Sequence, residues 1–208
     1  GDFPGTAQLY MVGQNGGKPK LVTSLPVSNI SVSNDAEGTH IIYEDYKGYE
    51  DALRKHHTSS VTRDIWQYIP EKNGNAFRIT GKGQFKKLSG FVGEDRNPVF
   101  KPGTKEYFYL SEEDGTFNIY KSEIEGLHKP VQLTAFKGNP VRYLSVAQNG
   151  TMCFSYNGEL YTMADGSEPK KVDISIVTDQ IEDPIQDKTL SSGARSLASS
   201  PNGKEIAV

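Results

Sequence analysis

Residues 118–134 read Asn118-Ile119-Tyr120-Lys121-Ser122-Glu123-Ile124-Glu125-Gly126-Leu127-His128-Lys129-Pro130-Val131-Gln132-Leu133-Thr134. A polar residue, an aliphatic and an aromatic open the stretch, a polar turn follows, and a second short apolar run ends on Thr134. The opening recurs as Gln8-Leu9-Tyr10, Asp64-Ile65-Trp66 and Glu159-Leu160-Tyr161. The closing run recurs as Leu21-Val22-Thr23, Arg78-Ile79-Thr80 and Lys171-Val172-Asp173. Thr23, Thr80 and Thr134 lie 13, 14 and 14 residues after their aromatics. Self-similarity of this kind is the mark of a repeat architecture.

Upstream of each aromatic strand stands a second pair of strands. The pairs are Ile30-Ser31-Val32 with Ile41-Ile42-Tyr43, Pro98-Val99-Phe100 with Tyr107-Phe108-Tyr109, Tyr143–Val146 with Met152-Cys153-Phe154, and Ser196-Leu197-Ala198 with Ile206-Ala207-Val208. A glycine separates the members of each pair: Gly38, Gly103, Gly150 and Gly203. Each unit therefore reads as a four-stranded meander. Asn15-Gly16, Asn73-Gly74, Asn149-Gly150, Asn157-Gly158, Asn202-Gly203, Asp114-Gly115 and Asp165-Gly166 supply residues that accept positive φ, as type I′ hairpin turns require. Four-stranded units of this size predict a β-propeller, with a β-sandwich as the alternative.

The predicted fold class is all-β, a partial β-propeller of about three full blades plus two half-blades. Full units are expected at 27–80, 96–134 and 141–174, an outer half-unit at 7–23 and an inner half-unit at 195–208. Closed propellers usually carry four to eight blades, so the count reads as a segment of something longer. Residues 1–187 are expected to form the partial propeller. Residues 188–208 are expected to supply the inner strands of a further blade or the start of a second propeller. Residues 49–57 could make two turns of a weakly amphipathic helix.

Composition narrows the function. The 208 residues carry 23 Lys and Arg against 26 Asp and Glu, a formal net charge of −3. No basic footprint for nucleic acid is present. No apolar run is long enough to span a bilayer as a helix, and Gly1-Asp2-Phe3-Pro4-Gly5 has neither the basic start nor the apolar stretch of a signal peptide. Cys153 is the single cysteine, which excludes an internal disulfide and a multi-cysteine zinc site. It reads as a small core hydrophobe.

Candidate sites are few. Residues 44–63 form a long connection containing Arg54-Lys55-His56-His57-Thr58-Ser59-Ser60. Long loops in compact domains are often functional, but adjacent histidines on extended chain point to opposite sides, and Ser59 and Ser60 lie in no nucleophile motif. There is no Gly-x-Ser-x-Gly elbow, and Gly81-Lys82-Gly83 lacks the upstream glycine of a phosphate loop. Asn29-Ile30-Ser31 and Asn149-Gly150-Thr151 fit the glycosylation pattern. Glu94-Asp95-Arg96-Asn97 could form an ion-pair cluster at a blade entry, with a solvated turn or a structural Asp-Arg pair as the alternative. No catalytic, cofactor-binding or metal-binding residue is assigned, and no cofactor is expected.

Ser199-Ser200-Pro201-Asn202-Gly203-Lys204-Glu205-Ile206-Ala207 resembles a signature of propellers in the Tol-system and tricorn families. Residues 54–66, Gly93-Glu94-Asp95-Arg96-Asn97-Pro98, Tyr109-Leu110-Ser111-Glu112 and Pro140-Val141-Arg142-Tyr143-Leu144-Ser145 resemble the later part of the first propeller of tricorn-like peptidases. That resemblance implies a parent serine peptidase that cleaves oligopeptides, with a second propeller, a PDZ-like domain and a catalytic core. It implies a non-catalytic role here: scaffold, filter of substrate access, and docking surface for partners and peptides. It also suggests a cytoplasmic location and homo-oligomers. Two alternatives stand beside it: a Tol-type propeller that acts alone as a binding module, with a periplasmic location, and the gating propeller of a prolyl-oligopeptidase-type hydrolase. No active-site residue of the tricorn-like family can be carried onto any position of this chain.

Overall fold

Apolar side chains alternate sides along each central strand. Ile41 and Tyr43 turn one way and Ile42 the other, and Tyr107 and Tyr109 oppose Phe108 and Leu110. Such strands are buried on both faces, so each sheet must be sandwiched between neighbours. The computed structural model describes residues 7–23, 25–49, 58–73, 76–78, 83–177, 192 and 196–207. The chain divides into two compact units, Gly1–Val172 and Asp173–Val208.

The first unit opens with a two-stranded sheet, β1 (Leu9–Met11) and β2 (Lys20–Thr23). The first full blade runs β3 (Val27–Asp35), β4 (Gly38–Asp45), β5 (Ile65–Ile69) and then, beyond a separate hairpin of β6 (Glu71–Asn73) and β7 (Ala76–Arg78), β8 (Gln84–Lys87). The second blade is β9 (Asp95–Phe100), β10 (Glu106–Ser111), β11 (Asn118–Glu123) and β12 (Val131–Gln132). The third is β13 (Arg142–Val146), β14 (Met152–Tyr156), β15 (Glu159–Met163) and β16 (Lys170–Lys171). Every pairing within the blades is antiparallel, and all but β5 with β8 join strands successive in the chain. In the second unit β17 (Ala198–Ser199) pairs with β18 (Ile206–Ala207). No helix occurs among the described residues.

Three apolar layers follow from the alternation. Val22, Val27, Ile41, Tyr43 and Tyr68 fill the space between the half-blade and the first blade. Ile42, Ile65, Phe100, Tyr107, Tyr109 and Tyr120 fill the next. Phe108, Leu110, Ile119, Leu144, Met152 and Phe154 fill the third. Each layer excludes water from two sheets at once, the dominant favourable term in folding.

The first blade ends on β8 rather than at Arg78-Ile79-Thr80, and the reason lies in one recurring set of hydrogen bonds. In the second blade the Leu133 amide donates to the Ile119 carbonyl at 2.8 Å, the Thr134 hydroxyl accepts from the Ile119 amide at 2.9 Å, and it donates to Asn118 Oδ1 at 3.0 Å. In the first blade Leu88, Ser89 and Asp64 make the same contacts: Leu88 amide to Ile65 carbonyl 2.8 Å, Ile65 amide to Ser89 Oγ 3.0 Å, and Ser89 Oγ to Asp64 Oδ1 3.1 Å. Leu88-Ser89 is thus the counterpart of Leu133-Thr134. The β6–β7 hairpin has displaced it along the chain, and the even spacing that pointed to Thr80 is fortuitous.

Other expectations shift as well. Among the Asn-Gly turns described, only Asn157 and Gly158 both take positive φ (51° and 78°), the requirement of type I′. At Asn149-Gly150 and Asn202-Gly203 only the glycine does. Cys153 lies on the face of β14 opposite Met152 and Phe154 and is half-buried rather than in the core. Trp66 packs partly buried on the first apolar layer, with its indole N–H donating to Asp45 Oδ2 at 3.0 Å. The region proposed as helical, residues 49–57, lies almost wholly outside the described residues, and so do His56 and His57.

Candidate binding face

The inner strand of every blade enters with the same defect. The register of β3 against β4 slips between Ser28 and Ser31, that of β9 against β10 between Arg96 and Val99, and that of β13 against β14 between Arg142 and Ser145. The bulged residue takes positive φ each time: Asn29 at 45°, Asn97 at 52°, Tyr143 at 56°. Asparagine tolerates that region because its short side chain bonds locally, whereas a bulky residue there is strained. Bulges bend a strand and re-aim side chains, and they cluster beside functional sites.

The bulges are wired to one another. Glu44, at the end of β4 and fully buried, accepts the Asn97 amide at 2.6 Å and the Ser28 hydroxyl at 2.7 Å, and it is bonded by the Asn29 side chain. Arg63 pairs with Glu44 and lies 3.8 Å from Glu94. Arg96 Nε is 3.2 Å from Glu94 Oε1, so of the two readings of this stretch the structure shows the ion-pair cluster, built on Glu94 rather than on an Asp-Arg pair. The Glu94 amide donates to Glu112 Oε1 at 3.0 Å, and the Asn97 side-chain amide donates to the Leu144 carbonyl at 3.1 Å. Burial would push the Glu44 carboxyl up. The hydrogen bonds from Asn29, Asn97 and Ser28 and the charge of Arg63 overcome it and hold the group below its usual range. A buried charge network of this kind fixes geometry more than it adds stability, because desolvation offsets most of the attraction.

One end of this network stays open. Arg142, half-buried, makes no ion pair among the described residues. It lines a cleft of about 620 Å³ with Glu112, Asp114, Phe117, Lys137 and Asn139. Asp114 is already taken by Lys137 at 2.5 Å and by Gln132 at 3.3 Å. Next to Arg142 in sequence stands Tyr143, 79% exposed on its strained backbone. An aromatic presented to water at a positive φ, where the other two blades use asparagine, is an observation that points toward function. The sequence offered one signal, the alignment of Asn29, Asn97 and Tyr143 after Ser28, Arg96 and Arg142, but it becomes visible only once the bulges are known.

Of the loop residues weighed above, Ser59 plays a local part, and His56 and His57 lie outside the described residues. Ser59 Oγ accepts the Val61 amide at 3.2 Å, and the Ser59 carbonyl accepts the Thr62 hydroxyl at 3.0 Å, which together close a turn. Among the described residues no group of three or more His, Cys, Asp or Glu is arranged to hold a metal ion.

No protein-family model matches the chain, and no curated protein matches it. Solved structures do. A TolB from Acinetobacter baumannii superposes with a TM-score of 0.57 at 15% identity, over 97% of this chain and 42% of that one. A TolB-type protein from Agrobacterium tumefaciens gives 0.58 at 17% identity, over 81% of this chain and 57% of that one. The tricorn protease gives 0.48 at 18% identity, over 84% of this chain and 20% of that one. This chain thus spans less than two thirds of each, and at these identities the likeness concerns the fold. The four-stranded antiparallel sheets, the apolar layers between them and the TolB-type neighbours together establish an all-β partial β-propeller, three full blades with two half-blades.

Proposed function

We propose that this chain is a non-catalytic binding and scaffold module, and that its bulged end takes an extended peptide segment. The observation that carries this reading is Tyr143, strained and exposed, next in the chain to Arg142, which lines the cleft and makes no ion pair among the described residues. Arg142 suits a carboxylate, as an acidic side chain or a free chain end, because its planar fork can donate two parallel hydrogen bonds. Tyr143 offers an apolar face to a neighbouring side chain at low entropic cost. The Glu44–Arg63–Glu94–Arg96 network behind them keeps the bulges in place.

The resemblance to tricorn-like peptidases supports placing the module in a parent serine peptidase, where it filters oligopeptide access and docks partners. A TolB-type module that acts alone is the second reading, favoured by the two TolB structures that share the fold. The reading frame beyond residue 208 separates them: a PDZ-like domain with a peptidase core supports the first, and a stop codon the second. The binding reading is tested by fluorescence anisotropy with a panel of labelled pentapeptides bearing a free or an amidated C-terminus and with or without Asp or Glu. Acidic or free-acid peptides should bind, and Arg142→Gln should weaken them about tenfold, as loss of a charge-assisted hydrogen bond does. Equal affinity for neutral amidated peptides would reject the carboxylate reading.

A further inference from the structure

A second cleft, of about 710 Å³, lies between the first and second blades and shares no lining residue with the first. Its apolar lining comes from Leu88, Phe91, Leu127, Pro130 and Tyr109. Asp95, at the start of β9, also lines it, although the residue is only 1% exposed. The Ser111 hydroxyl bonds this carboxyl group, but Asp95 Oδ1 has no hydrogen-bond partner among the described residues. A buried carboxylate oxygen without a donor is costly and is rare in native proteins.

Most charges of the lining are committed elsewhere; Lys129, exposed on the loop after β11, makes no ion pair among the described residues, but the charges that act on Asp95 are those of Asp64, Glu113 and Lys87. Lys87, a cation whose charge acts on Asp95, sits 2.9 Å from Asp64. Lys86 donates to the Ile124 carbonyl at 2.7 Å. Glu123 is bonded by His128 at 2.8 Å and Glu125 by Lys105 at 2.7 Å. Among the described residues Asp95 and Glu113 make no ion pair, and Asp64 adds negative potential at Asp95. The tyrosine hydroxyls of β10 and β11 that face Asp95, those of Tyr107, Tyr109 and Tyr120, stay neutral, because burial raises all three above the ordinary value.

We propose that this cleft binds a small organic ammonium, a protonated amine on an apolar stem, with Asp95 as its buried counter-ion and Glu113 as the second acid. An ammonium brings three donors to oxygens that lack them, and the stem removes the surfaces of Phe91 and Leu127 from water. An inorganic divalent cation fits less well, since calcium needs six to eight oxygen ligands and no acid cluster of that kind is present among the described residues. Burial, with the charges of Asp64 and Glu113, pushes the Asp95 carboxyl up to about 7 in the empty cleft. An arriving ammonium therefore releases a proton near neutrality.

Isothermal titration of the chain with phenethylamine tests this, with 2-phenylethanol as the neutral isostere and potassium chloride as the inorganic control. The amine should bind saturably. Both the alcohol with wild type and the amine with Asp95→Asn should bind at least about tenfold more weakly, the weight of a charged hydrogen bond. Repeating the wild-type titration near pH 7 in buffers of different ionisation heat should show fractional proton release, fading by about pH 9. The release requires no variant and decides the matter if Asp95→Asn does not fold. Equal binding of the alcohol, equal binding to Asp95→Asn, competition by potassium at matched concentration, absence of binding, or no proton release near pH 7 would each overturn the proposal.

Discussion

Single residues carry strain and charge in ways that can be measured. A Cβ on Gly83 would stand 2.5 Å from the Ile69 carbonyl oxygen and 2.3 Å from the Tyr68 ring, and Tyr68 is fully buried. Backbone cannot yield as a flexible side chain does, so Gly83→Ala should destabilise the chain by about 1–3 kcal/mol, the usual cost of overpacking; urea denaturation reads it. Glu44 and Asp95 act oppositely with pH. The Glu44 carboxyl is held below its ordinary value, so the stability it contributes is present above that value and lost as pH falls through the folded one. The Asp95 carboxyl titrates near 3.8 when unfolded and about 7 when folded, so the native state holds the extra proton between these values. Stability contributed by Asp95 therefore falls as pH rises through that window. Asp95→Asn should raise the melting temperature above wild type at about pH 8 and leave it nearly unchanged near pH 4. A uniform offset at both would contradict the assignment.

At the scale of elements, the strands were legible and the bulges were not. Alternation of apolar residues in Ile41-Ile42-Tyr43, Tyr107–Leu110 and Met152-Cys153-Phe154 was enough to place the central strands, because burial on both faces imposes a pattern of period two. The outer strand of the first blade was misplaced. A short edge strand carries little apolar signal, and Gln84–Lys87 is exposed along its whole length. The candidate site escaped reading because bulges depend on tertiary hydrogen bonds, such as that from the Asn97 amide to Glu44, which no local spacing encodes. The three bulges also yield a prediction. Tyr143 holds φ 56° where its counterparts are asparagines. Tyr143→Asn should stabilise the third blade by about 1 kcal/mol through relief of that strain, and thermal denaturation checks it. A clear loss of stability would mean that the exposed ring supports the fold.

Across the molecule, the blades of the first unit are joined by apolar layers and clipped at their rims by charge. Lys101 and Lys121 share Asp165 at 2.9 and 3.1 Å, and Lys105 reaches Glu37 at 2.7 Å. The half-blade of β1 and β2 behaves otherwise. Of the four repeat aromatics, Trp66, Tyr120 and Tyr161 pack into the layers, and only Tyr10 is more than half exposed, at 53%, with Met11, Val12 and Leu21 beside it. Exposed apolar residues on a two-stranded sheet favour pairing with another chain. The chain should therefore self-associate at micromolar concentration, and Tyr10→Lys should reduce that association; light scattering coupled to size exclusion distinguishes the cases, and a monodisperse wild-type monomer would contradict it.

As proposed, the bulged end is a binding face held by the fold but not required for it. Amide chemical-shift mapping during titration with a free-acid pentapeptide tests this most directly. Shifts should concentrate at Arg96, Asn97, Arg142–Leu144, Lys137–Asn139 and Asn157, with the rest of the first unit unchanged. Shifts confined to the rim of the blades, or none at saturating peptide, would contradict it.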